Sequence, residues 1–289
     1  MKINKLTLNS PLLPSELSDI PSPPKELFYK GSLEEFSSAP RLAVVGSRKV
    51  SAYGRAVTER LVQRLVEQGV VIISGLALGV DSVAHSAALD AGGRTYAVLA
   101  NGLHTIYPSS HIHLAKRMLE HGGAIISEYP EGTPGLRQQF IARNRLISGL
   151  SEAVLITEAA EKSGSLHTAQ FALEQGRTVF AVPGNITSAT SAGTNNLIKA
   201  GALPVTDPSD VLSAMGWDTN LKPQQIIAGS PAELAVLTAM KSGITDSAEL
   251  LVASKLDVQE FNQTLTMLEI QGRIRPLGAG HWTFLVLSK

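Results

Sequence analysis

The chain has 289 residues, more than one domain usually holds, so a large domain followed by a smaller one is expected. Lys+Arg and Asp+Glu both number 25, and the resulting net charge of +0 excludes a sequence-wide basic coat, so any polyanion site has to be local. Cysteine is absent, which excludes disulfides and thiolate metal sites, and no run approaches the roughly 20 apolar residues of a membrane span. A cytoplasmic protein without membrane contact is expected.

Residues 1–40 are rich in Pro and Ser, and "PSPPKELFYKG" predicts an extended lead-in rather than a domain. Apolar strands are then expected at "RLAVVG" (41–46), "VVIISG" (70–75), "RTYAVLA" (94–100), "GAIISE" (123–128), "EAVLIT" (152–157) and "TVFAVPG" (178–184). A shorter one follows near "ALPVT" (202–206). Most are continuous and β-branched, as strands covered on both faces should be. Amphipathic helices separate them. In "SAYGRAVTERLVQRLVEQG", Val57, Leu61 and Leu65 share one face and Gly69 ends the helix. Further helices are expected at about 82–91, 110–121, 140–149, 165–175 and 194–200. This alternation predicts an α/β fold over 41–215, a Rossmann-like doubly wound and mainly parallel sheet. Residues 216–229 read as a linker. In 230–289, helical segments near 231–241, 246–253 and 257–271 precede "RIRPL" and "HWTFLVL", the outline of a small winged-helix-like domain.

Ligands of open parallel sheets bind beyond the carboxyl ends of the strands, and the unusual residues gather there. They are Gly46-Ser47-Arg48, Ser74-Gly75 with Gly79 and Asp81, Asn101-Gly102, Ser127-Glu128, Thr157-Glu158 with Ser163-Gly164-Ser165, and Pro183-Gly184-Asn185. Singly these are ordinary turn residues; their convergence is what points to a ligand. The spacing matches neither common nucleotide fingerprint. A Gly-Ser turn lets backbone amides approach a phosphate, while Arg48 adds a forked, permanently charged donor. Ser163 or Ser165 is expected to cap a helix beginning near Leu166. Arg143 and Arg145 read either as phosphate-facing groups or as a solvated helix face. Asp81 and His85, four apart, suit a local hydrogen bond better than a metal, and His111 and His113 would point to different helix faces. Neither a Ser-His-Asp arrangement nor a G-x-S-x-G elbow is present. The residues therefore predict a phosphate-bearing ligand at the strand ends, with no catalytic group, cofactor or metal.

"VGSRKVSAYG", "ISGLALGVDSVAHSAAL", "YP", "SEYPEGTP", "FIARNRLISGLSEAVLITEAAEKSGSLHTAQFALEQGRTVFAVPGN" and "GTNNLIKAGA" resemble the DNA-processing protein A (DprA/Smf) family over roughly residues 41–212. The resemblance implies a non-enzymatic recombination mediator that binds single-stranded DNA, protects incoming strands and helps load RecA recombinase during natural transformation, usually as a homodimer. It carries strand binding onto Gly46, Ser47 and Arg48, with Ser51, Arg143, Asn144, Arg145, Gly164 and Ser165 bordering the same pocket. It places the dimer surface around Asn195, Ile198 and Pro204. Ser109 stands where members often have a lysine, His104 where an acidic residue is common, and the helical N-terminal domain of many members is replaced by the lead-in. The rival reading is a nucleotide phosphoribohydrolase-like enzyme, whose P-G-G-x-G-T-x-x-E motif is here only Pro183-Gly184-Asn185 and a separate Gly193-Thr194; Glu128 and Glu158 would be its acids. In the tail, "DVQEFNQTLTMLE" carries no Lys or Arg, while Val258, Phe261, Leu265 and Leu268 form an apolar face. Arg273 and Arg275 on the wing are the basic pair nearest to it, and a protein-contact role is expected.

Overall fold

In this computed structural model the chain is described except at residues 1, 9, 35, 218–229, 242–243, 272, 279 and 285–289. Most of the expected linker and the end of "HWTFLVL" lie outside the described residues, as does the side chain of Arg275. Two compact units are present, Met1–Thr219 and Asn220–Lys289.

The first unit is built on one sheet. Its strands are β1 (Asn4–Leu6), β2 (Leu27–Gly31), β3 (Arg41–Val45), β4 (Val71–Ser74), β5 (Thr95–Leu99), β6 (Ala124–Ser127), β7 (Ala153–Ile156), β8 (Thr178–Ala181) and β9 (Leu203–Pro204). The helices between them are α1 (Ala52–Glu67), α2 (Val80–Asp90), α3 (Ile112–Glu120), α4 (Arg137–Gly149), α5 (Ser165–Glu174), α6 (Ala192–Lys199) and α7 (Pro208–Met215). The order across the sheet is β1-β2-β6-β5-β4-β3-β7-β8-β9, parallel from β6 to β9. Residues of β3, β5, β6 and β7 are buried throughout, which is why their sequences run apolar without alternation. Leu42 and Val44 pack with Leu61 and Leu65 of α1 on one face. Ala43 and Val45 pack with Ile147 of α4 and Ala169 of α5 on the other.

The lead-in expectation is corrected. β2 pairs antiparallel with β6, Phe28 opposite Ser127, and β1 pairs antiparallel with β2. Leu13, Leu17, Ile20, Leu27, Leu33 and Phe36 are buried in the α4/α5 face of the core. Arg41 fastens this segment: its guanidinium donates to the carbonyls of Phe36, Ser37, Ala39 and Leu150 and pairs with Glu152 at 3.3 Å. Proline-rich composition disguised a segment whose order comes from tertiary pairing.

The second unit comprises α8 (Pro231–Lys241), α9 (Ser247–Ser254), α10 (Val258–Ile270) and a hairpin of β10 (Ile274–Gly278) and β11 (His281–Phe284). Its core joins Val236, Leu237, Leu250, Phe261, Leu265, Leu268 and Ile274. Val258 is excluded from the expected apolar face; at the start of α10 it is 61% exposed.

Candidate nucleic-acid interface

β3 and β7 are neighbours whose following helices, α1 and α5, pack on opposite faces of the sheet. A crevice therefore opens beyond their C-terminal ends, at the switch point of the strand order. Gly46 sits at its floor, where a Cβ would come within 2.7 Å of the Glu158 carbonyl oxygen and of Val80. Gly79, at φ +82°, allows the β4–α2 turn to close on the β3–α1 loop, and the Val80 amide donates to the Ser47 carbonyl at 3.0 Å. Only glycine permits both approaches.

Glu158 holds the loop at its two ends. Its main-chain carbonyl accepts from the Ser47 amide at 2.8 Å, and its carboxylate accepts from the Ser51 amide at 3.0 Å and from the Ser51 hydroxyl. Ser51 Oγ also caps α1, accepting from the Gly54 amide at 3.0 Å. The Lys49 amide donates to Ser47 Oγ at 3.1 Å. The amides of Ser47 and Lys49 are thus taken within the loop, so the Ser47 amide is not free to approach a phosphate as the Gly-Ser turn suggested. What the loop presents outward is the exposed side chains of Arg48 and Lys49.

Arg48 lies over an aromatic surface. Its guanidinium carbon is 5.6 Å from the centre of the Phe140 ring, and the Tyr107 ring is 5.3 Å from the same centre. Tyr107 is 56% exposed. Arg137, one helical turn before Phe140 on α4, is exposed as well. Among the described residues, no carboxylate pairs with Arg48, Lys49 or Arg137. Tyr107, Phe140 and Arg137 escaped the sequence reading. Tyr107 lay in the quoted "YP" and Phe140 in "FIARNR", but their approach to Arg48 is made only by the fold.

The other expected contacts are distributed differently. Arg143 is 3% exposed and belongs to the frame: it donates to the Gly75 carbonyl at 2.9 Å and to that of Val98. Burial pulls its pKa down to about 10, and burial raises that of Asp81, which also abuts Gly75. Arg145 pairs with Glu128 at 2.6 Å. Neither arginine is a solvated face, and Arg143 is closed to a ligand. Asn144 reaches the Gly164 carbonyl at 3.4 Å, joining α4 to the start of α5. That helix begins at Ser165, next to the expected Leu166, with Gly164 as its cap residue; Ser163 Oγ accepts from the Ser165 amide at 3.4 Å and lies 2.8 Å from Ser165 Oγ. Asp81 accepts from the amides of Gly75 and Ala77 rather than meeting His85, whose Nδ1 is 2.7 Å from Thr95 Oγ1. Asn195 is half-buried on α6. Its amide grips Gly184, accepting from that residue's N–H and donating to its carbonyl, both at 3.1 Å. Ile198 is half-buried and Pro204 exposed. Ser109 and His104 are exposed, and His104 Nδ1 accepts from the Gly132 amide at 3.0 Å.

Residues 4–216 match the family model described as DNA recombination-mediator protein A. The chain belongs to this DprA family. Residues 221–280 match a second model, the DprA winged helix domain. Protein Smf of Escherichia coli is 47% identical over 215 residues, 74% of this chain and 57% of that relative, so the chain spans little more than half that relative's length. DNA processing protein DprA of Bacillus subtilis is 41% identical over 74% of this chain and 71% of its own. Among solved structures, DprA from Streptococcus pneumoniae superposes with a TM-score of 0.69 at 42% identity, covering 74% of each chain. DprA from Helicobacter pylori, a structure titled for its single-stranded DNA binding mode, gives 0.68 at 29% identity, covering 75% of this chain and 97% of that one. These DprA neighbours share the Rossmann-like sheet described above.

Proposed function

We propose that this DprA-family chain is a single-stranded DNA-binding recombination mediator rather than an enzyme. One juxtaposition carries the reading: an unpaired, exposed arginine at the sheet's switch point lies directly beside an aromatic surface. A single strand offers just those two features, phosphates for a guanidinium and unstacked bases for aromatic rings. Duplex DNA hides its base faces and would leave Tyr107 and Phe140 unused. The Helicobacter neighbour supports the ligand class. In this reading the strand is handed to RecA recombinase during natural transformation, in the cytoplasm; the family's description as a DNA recombination mediator supports the recombination role. Both acids of the rival enzyme reading are engaged, Glu158 by Ser51 at 1% exposure and Glu128 by Arg145. No described helix is long and apolar enough to cross a membrane.

The test is a titration of labelled oligo-dT at several salt concentrations with a duplex control. Each cation neutralising a single-strand phosphate contributes about 0.7 to the magnitude of the log–log salt slope. Arg48→Ala is expected to weaken binding and flatten the slope by about one such contact, and Arg48→Lys to recover part of both. A folded Arg48→Ala protein that binds with the wild-type slope, or a wild type that prefers duplex, overturns the reading.

A further inference from the structure

We propose that the cleft between the start of α1 and the β8–α6 turn receives a nucleobase of the strand whose phosphate Arg48 holds; this rests on the reading above and names a second contact within it. The cleft measures about 520 Å³ and is lined by Ser51, Tyr53, Pro183, Asn185, Thr190 and Ser191 among others. That volume suits a small ring system. None of its lining residues is charged, so a phosphate placed there would lack a counter-charge, whereas a neutral ring with polar edges would not need one.

Three features match a base. Tyr53 donates its hydroxyl to the Pro183 carbonyl at 2.7 Å, which fixes the ring on the wall, yet the residue stays 49% exposed. Ser191 is only 4% exposed and lines the cleft, and its hydroxyl makes no hydrogen bond within the described protein. The hydroxyl is not sealed in the interior, so it stays available to a polar group that enters the cleft. Asn185 uses its carbonyl oxygen for Thr187, accepting at 2.9 and 2.8 Å, and so leaves its amide hydrogens as donors at the rim. The cleft is also within reach. Ser51 follows Arg48 by three positions, a span of at most about 10 Å of extended chain. Tyr53 belongs to α1 on one face of the sheet and Phe140, beside Arg48, to α4 on the other, so aromatic side chains are offered on both faces.

The experiment compares equilibrium binding of labelled oligo-dT with that of an abasic oligonucleotide of equal length, which keeps phosphates and sugars but lacks bases. Tyr53→Ala is expected to weaken oligo-dT by about tenfold. Ser191→Ala is expected to weaken it by about fivefold. Both variants should bind the abasic strand as the wild type does, with an unchanged salt slope, and Tyr53→Phe should retain wild-type affinity for both. Tyr53 is exposed and Ser191→Ala removes one atom, so thermal melting should show both folded. Equal losses on the two oligonucleotides, or none on oligo-dT, overturn the cleft proposal. In that case Arg48→Ala still lowers both if the strand-binding reading holds. A wild type that binds neither oligonucleotide overturns both proposals together.

Discussion

At the scale of single residues, the interface depends on polar groups that never reach its surface. Glu158 and Arg143 look in the sequence like a catalytic acid and a phosphate contact, and both prove to be buried ties between strand ends. Their roles were illegible because they depend on carbonyls and amides distant in the chain: Arg143 bonds 68 residues back to Gly75, and Glu158 bonds 107 residues back to Ser51. Arg48 was legible because a residue directly after a buried strand has to emerge at its carboxyl end. His85 belongs with the buried ties and yields a pH prediction. Thr95 Oγ1 donates to the Ile72 carbonyl, so His85 Nδ1 has to donate to Thr95, and the fully buried Nε2 has no partner. Protonation would place a cation there near His111 and Arg143, and burial accordingly lowers the pKa to about 3. Between about 6.5 and about 3 the unfolded chain binds a proton that the folded one refuses, so stability falls as pH drops through that window. The slope from this residue is at most about 1.4 kcal/mol per pH unit. Asp81, whose pKa burial raises, acts in the opposite sense, so the comparison is with His85→Gln, which keeps a donor for Thr95 but does not titrate. Denaturant melts from pH 7.5 to 4.5 should show a shallower acid decline in the variant; parallel curves would reject the assignment.

At the scale of elements, β3 to β8 were legible from apolar runs because both faces of those strands are covered. β1 and β2 were not: "LFYKG" follows prolines, and its order comes from pairing with β6, almost a hundred positions away. At the opposite edge of the sheet, β9 pairs with β8 alone among the described residues. β9 is two residues long, Leu203 and Pro204 are both exposed, and Leu173 nearby is 63% exposed. Leu173, Leu197 and Leu203 line a shallow cavity there. Such an edge invites an isologous contact with a second copy, in keeping with the homodimer expected of the family. Ile198, half-buried on α6, would meet its symmetry mate, while Asn195 stays behind as the clasp on Gly184. Ile198→Glu is expected to give a folded monomer by sedimentation at concentrations where the wild type is dimeric, because the new charge would face its own copy. A wild type that is monomeric throughout, or a variant that remains dimeric, removes β9 and α6 from consideration.

For the whole molecule, zero net charge is no objection to the proposed strand binding, because Arg48, Lys49 and Arg137, exposed and without a paired carboxylate among the described residues, belong to the β3–α1 loop and the start of α4. Among its described residues, the second unit offers no comparable feature. α10, the helix that a DNA-reading winged helix would place in a groove, contains no Lys or Arg and carries Glu260 and Glu269. Arg273 is occupied by Glu233 at 3.4 Å. What this unit exposes instead is apolar: Val252 at 78%, Ile270 at 74% and Val258 at 61%. That surface suits a protein contact better than a phosphate backbone. A chain ending at Gly229 should therefore fold on its own core and keep oligo-dT affinity within about tenfold, or roughly 1.4 kcal/mol, of the full chain. Its salt slope should be unchanged as well, since no phosphate contact is removed. A larger loss, or a flatter slope in a protein whose melting shows it folded, would mean that the winged-helix unit holds DNA directly, despite its acidic third helix.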